Sequence, residues 1–381
     1  MKVYADNAAM KPLLPEVKQV IRDFLDADIR NPSAIYSDGR KTKQMIEAAR
    51  ATVAKAIGAD PDEIYFTSGS TEAINWAFRS RGEHIITTKI EHKAILKQIE
   101  HYAGCVFDLS VNRFGVVDMD DIRNISEYYK DDCVVVIGYV NNEIGTIQPL
   151  KEIVDICHKH GSEVFCDATQ ALGNLPINVH ELGVDYLCGS AQKLGGLAGT
   201  GFLYVKKDIL FDPIQLGGAQ ERGKRGGTEN VLGIVALAKA IEVATKDKCK
   251  TIWTEEKRDE IIEGLLKIPH SHLNGGLADR VCNNINIAFE GIEAESLVLQ
   301  CDMCGLAISA GASCNSASIE PSHVLKAIGL SDNLARASIR ITIGDDITDE
   351  EVEFIIKTVT DCVAKLRSMS PAWKEIENES N

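Results

Sequence analysis

The chain has 381 residues, 45% of them hydrophobic and 25% charged, enough to bury a large core as two domains or as one large domain with an appendage. Its 41 basic and 56 acidic side chains give a formal net charge of -15, which argues against a phosphate-tracking surface and so against direct nucleic-acid binding. The opening residues MKVYADNAAMKPLLPEV lack the apolar core of a secretory leader, and no later run approaches the roughly 18 apolar residues of a membrane span. A cytoplasmic location is the expectation.

Residues 15–26 put Val17, Val20, Ile21, Phe24 and Leu25 on one helical face, and residues 43–57 repeat the pattern before Gly58. Strand-like runs then alternate with helical stretches: EIYFT, HIITT, CVVVIGYV, EVFCD, DYLCG and GFLYV. Several are apolar on both parities, as strands buried on two faces should be, so an α/β architecture is expected, with a mainly parallel sheet covered by helices. After IVALAKAIEVAT the texture changes to DEIIEGLLKI, NINIAF, ESLVLQC, LAISA, SHVLKAIG and IRITIG, followed by a long last helix. That helix begins at Thr348 with Glu351 three residues on, a capping box. The expected division is a large domain over 13–246 and a smaller α+β domain over 247–381 completed by residues 1–12. The terminal EIENESN is expected to fray.

The eleven cysteines lie mostly inside apolar runs (Cys133, Cys157, Cys166, Cys188, Cys282), the pattern of small buried hydrophobes in a reducing compartment. Cys301-Asp302-Met303-Cys304 is a C-x-x-C without a second pair at zinc spacing, which favours two ordinary helix-end cysteines. Cys314 differs, because it lies in SAGASCNSAS, a run of small residues that buries little and leaves a thiol able to move.

At YFTSGSTEAIN a strand ends, Gly69 turns the chain, and a helix opens with Ser70 and Thr71 followed by an acid. Free backbone N–H groups and two hydroxyls then aim at one point, which suits a phosphate; simple N-capping is the plain alternative. In FCDATQ, Asp167 directly follows a buried strand end, where a carboxylate caps a helix, binds a metal or holds a cationic nitrogen. No partner ligands at metal spacing lie nearby. In GSAQKLGGLAGTG, Lys193 stands alone among small residues after the apolar DYLCG run. A phosphate cup, a carboxylate and a lysine, in that chain order, are what pyridoxal 5'-phosphate requires. Lys193 suits an imine link if desolvation or neighbouring positive charge lets its ammonium lose a proton.

The chain resembles the cysteine desulfurases of iron–sulfur-cluster and nitrogenase maturation, within the aminotransferase class V group of fold-type I pyridoxal phosphate enzymes. The resemblance spans nearly the whole length, through YADNAA, NPSA, FTSGSTEAIN, EHKAIL, NNEIGTIQPL, DATQALGNLPI, the lysine segment, GGAQERGKRGGTENV, SAGASCNSASIEPSHVLKAIG and SIRITIG. It implies that Ser70, Thr71, Ser190 and Gln192 hold the cofactor phosphate and that His92 stacks on the ring and can shuttle protons. It also implies that Asn142 and Gln170 sit near the ring hydroxyl, with Asn142 close to substrate, and that Asp167 pairs with the ring N–H. Thr228 would complete the phosphate site from the neighbouring subunit, implying a homodimer. Substrate L-cysteine would be gripped by Arg340 and deprotonated at Cα by Lys193, and its sulfur would be attacked by Cys314 to leave alanine and a Cys314 persulfide. The sulfur would pass to an acceptor protein such as a cluster scaffold or a tRNA-thiolation enzyme.

Departures from the family pattern fall around the site. Gln192 stands where histidine is usual, and its amide can donate a hydrogen bond but carry no proton. Met10-Lys11, Tyr36, Gly226 and GGLAGTG also differ from the usual residues. Rival readings are a selenocysteine lyase, a cystine β-lyase or an aminotransferase, and, from another class, a non-enzymatic scaffold.

Overall fold

The structure, a computed structural model, describes residues 1–79, 84–102, 104–129, 133–246, 249–311 and 320–380. Its strands are β1 (Val3–Tyr4), β2 (Ile64–Thr67), β3 (His84–Thr88), β4 (Cys105–Leu109), β5 (Cys133–Gly138), β6 (Glu163–Asp167), β7 (Tyr186–Ser190), β8 (Gly201–Val205), β9 (Ser271–Leu273), β10 (Asn284–Phe289), β11 (Leu306–Ala307), β12 (Ser309–Ala310) and β13 (Ser338–Thr342). Seven of them form one sheet in the order β2-β8-β7-β6-β5-β3-β4. Within it β8 runs against its neighbours and the other strands run together, so the C-terminal ends of β2, β3, β5, β6 and β7 open on the same edge.

Both faces of this sheet are buried, which explains why its strands read as continuous apolar runs. Along β5, Val135 and Ile137 enter one core while Val134 and Val136 enter the other; Leu187 and Tyr186 divide in the same way on β7. Helices Pro15–Leu25, Ser37–Ile57 and Val231–Ala244 cover the first face through Val17, Val53 and Leu237. Helix Ser70–Arg79 covers the second with Ile74 and Trp76. The helix Ser37–Ile57 stops because Gly58 adopts φ +69°, a left-handed conformation that favours glycine.

A second sheet, β12-β13-β10-β9, is antiparallel and packs its own core against helices Cys249–Leu265, Ala294–Met303 and Asp349–Met369. Ile285, Ile287, Ile339 and Ile341 are fully buried there, each stabilising the core by about 1.5–3 kcal/mol. Val3 and Ala5 belong to the same core, and β1 pairs in parallel with β11. Thr348 and Glu351 close the capping box that starts the helix Asp349–Met369.

Several elements differ from the sequence reading. LAISA is two short strands in different sheets, because β11 pairs with the N-terminal β1 while β12 pairs with β13. The C-terminal residues form a further helix over Pro371–Ser380, which the sequence reading does not contain, and Asn381 lies outside the described residues. Trp373 anchors that helix, with the Arg367 guanidinium 3.8 Å from its ring centroid. β4 and β9 are not evident from the sequence; β4 is an edge strand with Cys105 and Asp108 exposed, and β9 has only three residues. Among the described residues no helix is long and apolar enough to cross a membrane.

Candidate active site

The loops that leave the C-terminal edge of the large sheet surround a cavity of about 490 Å³. Ligands gather at this edge in open α/β sheets, because successive loops converge there. After β2, Gly69 turns the chain into helix Ser70–Arg79, whose first turn presents Ser70 and Thr71 to the cavity. The turn sits tight against β8: a Cβ at Gly201 would lie 2.6 Å from the Gly69 Cα, so no side chain fits between them. Glu72 receives Ser68 N–H at 2.9 Å and Arg225 Nε at 2.9 Å. Burial raises the Glu72 pKa, but these hydrogen bonds outweigh it and hold the carboxyl below its usual range.

Asp167 ends β6 and is buried. Its Oδ1 accepts Thr169 N–H at 3.0 Å, the Thr169 hydroxyl, and the Cys188 thiol at 3.4 Å. Thr169 Oγ1 also lies 2.6 Å from Ser70 Oγ, so one side chain links the carboxylate to the helix opening. Lys193 ends the 3-10 turn that follows β7, and its Nζ donates to the carbonyls of Ala8 at 2.7 Å and Ala9 at 2.6 Å. Gln170 Nε2 donates to the Ala8 carbonyl as well, at 3.1 Å. The N-terminal segment therefore forms one wall of the cavity.

His92 caps helix Lys93–Glu100, its Nδ1 accepting Ala94 N–H at 3.1 Å. In the neutral ring this bond assigns the proton to Nε2. Arg340 reaches in from β13, 2% exposed, with Nη1 donating to Asn142 O at 2.9 Å and Nη2 to Asp6 Oδ1 at 2.8 Å. Two buried glutamates flank these loops. Glu91 accepts Thr88 Oγ1 and Gly138 N–H, each at 2.8 Å, and Glu143 accepts Ser322 Oγ at 2.5 Å. Desolvation pushes each carboxyl up to about 7.

The residues expected from sequence thus meet at the cavity wall: Ser70, Thr71, His92, Asn142, Asp167, Gln170, Ser190, Gln192, Lys193 and Arg340 all line it. Thr228 is exposed and does not. Cys314 lies outside the described residues. Sequence reasoning missed Thr169, Asp6, Glu91 and the carbonyls of Ala8 and Ala9. The signal for Thr169 was present, since it lies between Asp167 and Gln170, the two residues of DATQ singled out.

A family model for "Aminotransferase class-V" matches residues 3–355. The chain belongs to the aminotransferase class-V family. It is 44% identical over 381 aligned residues to a protein of Methanosarcina thermophila named cysteine desulfurase IscS, with 97% of this chain and 94% of that one covered. A solved "NifS-like protein" superposes with a TM-score of 0.90 at 32% identity, covering 96% of this chain and all of the other. A structure titled "SspA in complex with cysteine" superposes with a TM-score of 0.78 at 31% identity, covering 90% of this chain and 99% of that one. The architecture is that of the fold-type I pyridoxal phosphate enzymes, as expected from sequence. The cavity suits that group. A helix N-terminus with two hydroxyls answers its phosphate, a buried carboxylate answers its ring nitrogen, and an amine at the wall answers its aldehyde.

Proposed function

We propose that this pyridoxal-phosphate-dependent cysteine desulfurase uses Lys193 to hold the cofactor's carbonyl carbon and to move the substrate's Cα proton, and Cys314 to take the sulfur. The observation that carries the reading is the convergence on one cavity of Lys193, Asp167 and the opening of helix Ser70–Arg79. When bound, pyridoxal phosphate supplies an electron sink that lets a Cα–H bond ionise. Ser70, Thr71, Ser190 and Gln192 bind the phosphate, completed by Thr228 of the partner subunit in a homodimer. Asp167 would hold the ring nitrogen's proton; its Oδ1 is engaged by Thr169 and Cys188, which orients the carboxylate for that role. His92, with its proton at Nε2 in the neutral ring, would face the cofactor ring, and Asn142 and Gln170 would serve the ring hydroxyl.

Arg340 clamps the substrate carboxylate, with Asn142 beside it, and so orients Cα toward Lys193. The Cys314 thiolate then attacks the substrate sulfur; the S–S bond forms as the carbon–sulfur bond breaks, and alanine leaves while a Cys314 persulfide remains. The persulfide passes its outer sulfur to an acceptor, for which a cluster scaffold or a tRNA-thiolation enzyme has suitable chemistry. The core of the antiparallel sheet, drawn only from residues 1–12 and 247–381, supports a division into a large cofactor-binding domain over 13–246 and a small domain, 1–12 with 247–381, that carries Cys314.

Alanine and sulfide release from L-cysteine in the presence of a thiol reductant tests the assignment. Cys314→Ala is expected to keep the cofactor's visible absorbance and to lose at least about a hundredfold in alanine release. Equal release by variant and wild type overturns the role of Cys314, and pyruvate in place of alanine marks a β-lyase.

A further inference from the structure

We propose that Arg225 is a positioning residue for the cofactor phosphate: from a loop that Glu221 anchors to β2, it cancels the Glu72 carboxylate in the opening turn of helix Ser70–Arg79 and holds that turn in place. The inference rests on the reading of Ser70 and Thr71 as phosphate ligands.

The sheet itself calls for such a loop. β2 is an edge strand, and an edge presents a row of backbone groups without a neighbouring strand. Side chains satisfy them here. Arg50 Nη1 and Arg222 Nη2 donate to Ile64 O at 2.8 and 2.6 Å, and Phe66 N–H donates to Glu221 Oε2 at 2.8 Å. The Arg222 guanidinium also lies 4.0 Å from the Tyr65 ring centroid. Glu221 further accepts Nη1 and Nη2 of Arg50, each at 2.8 Å, in a two-pronged pair whose members are both buried. Glu221 and Arg222 sit at φ +45° and +56°, a left-handed region that residues other than glycine rarely occupy, so these bonds hold the loop in a backbone it would not take unaided.

The same loop then reaches the far side of the phosphate turn. Gly226 N–H donates to Gln215 O and Ile214 N–H to Lys224 O, each at 2.9 Å, which fixes the backbone around Arg225. Arg225 Nε and Nη2 donate to Glu72 Oε1 and Oε2 at 2.9 and 3.3 Å. Glu72 Oε2 in turn accepts Ser68 N–H at 2.9 Å, closing the turn over Gly69. One loop therefore grips the turn at Phe66 before it and at Glu72 after it.

Charge gives this grip its consequence. Glu72 follows Thr71 directly, lines the cavity, and is ionised at neutral pH, because its hydrogen bonds hold the carboxyl below its usual range. An uncompensated carboxylate there would repel a phosphate group. The side chains read as phosphate ligands, Ser70, Thr71, Ser190 and Gln192, are all neutral, and among the described residues the cavity's cationic types are Lys193, Arg340 and His92. Arg225 does not line the cavity, so its charge acts on the phosphate by way of Glu72. Arg225 also feels Glu221 and Glu229, but Glu221 is already engaged by Arg50.

The test reloads the full-length enzyme with pyridoxal phosphate or with pyridoxal, which keeps the aldehyde and lacks the phosphate, and reads each dissociation constant from the visible absorbance. Arg225→Ala is expected to weaken pyridoxal phosphate about tenfold and to leave pyridoxal unchanged. Adding Glu72→Gln to Arg225→Ala should win back about threefold, because the uncompensated carboxylate is removed as well. Wild-type affinity for the phosphate form in Arg225→Ala, equal losses for the two aldehydes, or a double variant no better than the single one would overturn the proposal. Should Arg225→Ala fail to fold, Arg225→Gln, which keeps a donor for Glu72 without the charge, decides the question by the same two constants. A Ser70→Ala/Thr71→Ala variant separates the two claims. Undiminished preference for the phosphate form there removes the phosphate reading and the role of Arg225 with it, whereas a lost preference there with wild-type constants in Arg225→Ala removes the role of Arg225 alone.

Discussion

Replacing Arg340 by lysine separates substrate binding from structural support. Arg340 stands in the middle of β13, opposite Asn286 and Ser309, and its guanidinium already spans two acceptors, Asn142 O at 2.9 Å and Asp6 Oδ1 at 2.8 Å. A lysine ammonium is a point donor and cannot reproduce a planar fork that meets both acceptors and a substrate carboxylate together. Losing one charge-assisted hydrogen bond to the substrate costs about 1.5–3 kcal/mol. That corresponds to a rise of roughly ten- to a hundredfold in the KM for L-cysteine. Turnover at saturation should fall much less, because the substitution spares Lys193 and Cys314. The assay is alanine release across L-cysteine concentrations, with cysteamine as a substrate analogue lacking the carboxylate. Binding of cysteamine, read from the cofactor spectrum, should be nearly indifferent to Arg340→Lys, so the discrimination between the two amines should collapse. If KM stays at the wild-type value while the melting temperature drops, Arg340 serves only Asp6 and Asn142, and the substrate clamp must be sought elsewhere.

Two further outcomes test the cofactor site. Asp167→Asn keeps an oxygen for Thr169 and Cys188 but turns an amide donor toward a ring nitrogen that also carries a proton; turnover should fall at least about a hundredfold, and wild-type turnover would refute the pairing. Glu91, fully buried and raised by desolvation to about 7, keeps its proton in the folded chain between about pH 4.5 and 7 while the unfolded chain releases it, so stability should fall as pH rises through that window, by about 3 kcal/mol in all. Chemical denaturation at pH 5, 6 and 7 should show this slope in wild type and a shallower one in Glu91→Gln; equal slopes would refute the assignment.

The large sheet was legible because its strands are buried on two faces and therefore spell unbroken apolar runs, as Cys133–Gly138 and Tyr186–Ser190 do. β4 is hidden for the converse reason. It lies at the sheet edge with Cys105 and Asp108 exposed, and its pattern is that of a surface loop. The helix Pro371–Ser380 has a polar composition that hides it in the sequence, and what holds its start is tertiary: Trp373 packs against Arg367 and closely approaches Gly291. Local texture cannot reveal a partner supplied by a distant element.

The same distinction runs through the site. Lys193, Asp167 and Ser70 were legible because each is a reactive type set beside glycine or a strand end, where its local surroundings make it conspicuous. The groups that aim them were not, because their partners lie far along the chain. Thr169 joins Ser70 across 99 residues, Arg340 joins Asn142 across 198, Ser322 joins Glu143 across 179, and Lys193 joins Ala8 across 185. Ser70 and Thr169 meet because strands that run the same way deliver their following loops to one edge, whereas Arg340, Ser322 and Ala8 come from the antiparallel sheet, the cap of helix His323–Ala327 and the N-terminal segment, which reach that edge by packing against it. Each loop then contributes one reactive group, and placement to within a fraction of an ångström falls to the hydrogen bonds between loops. It follows that substitutions such as Gln192, which change a single donor facing the cavity, disturb the chemistry less than removal of an inter-loop bond that aims several groups at once.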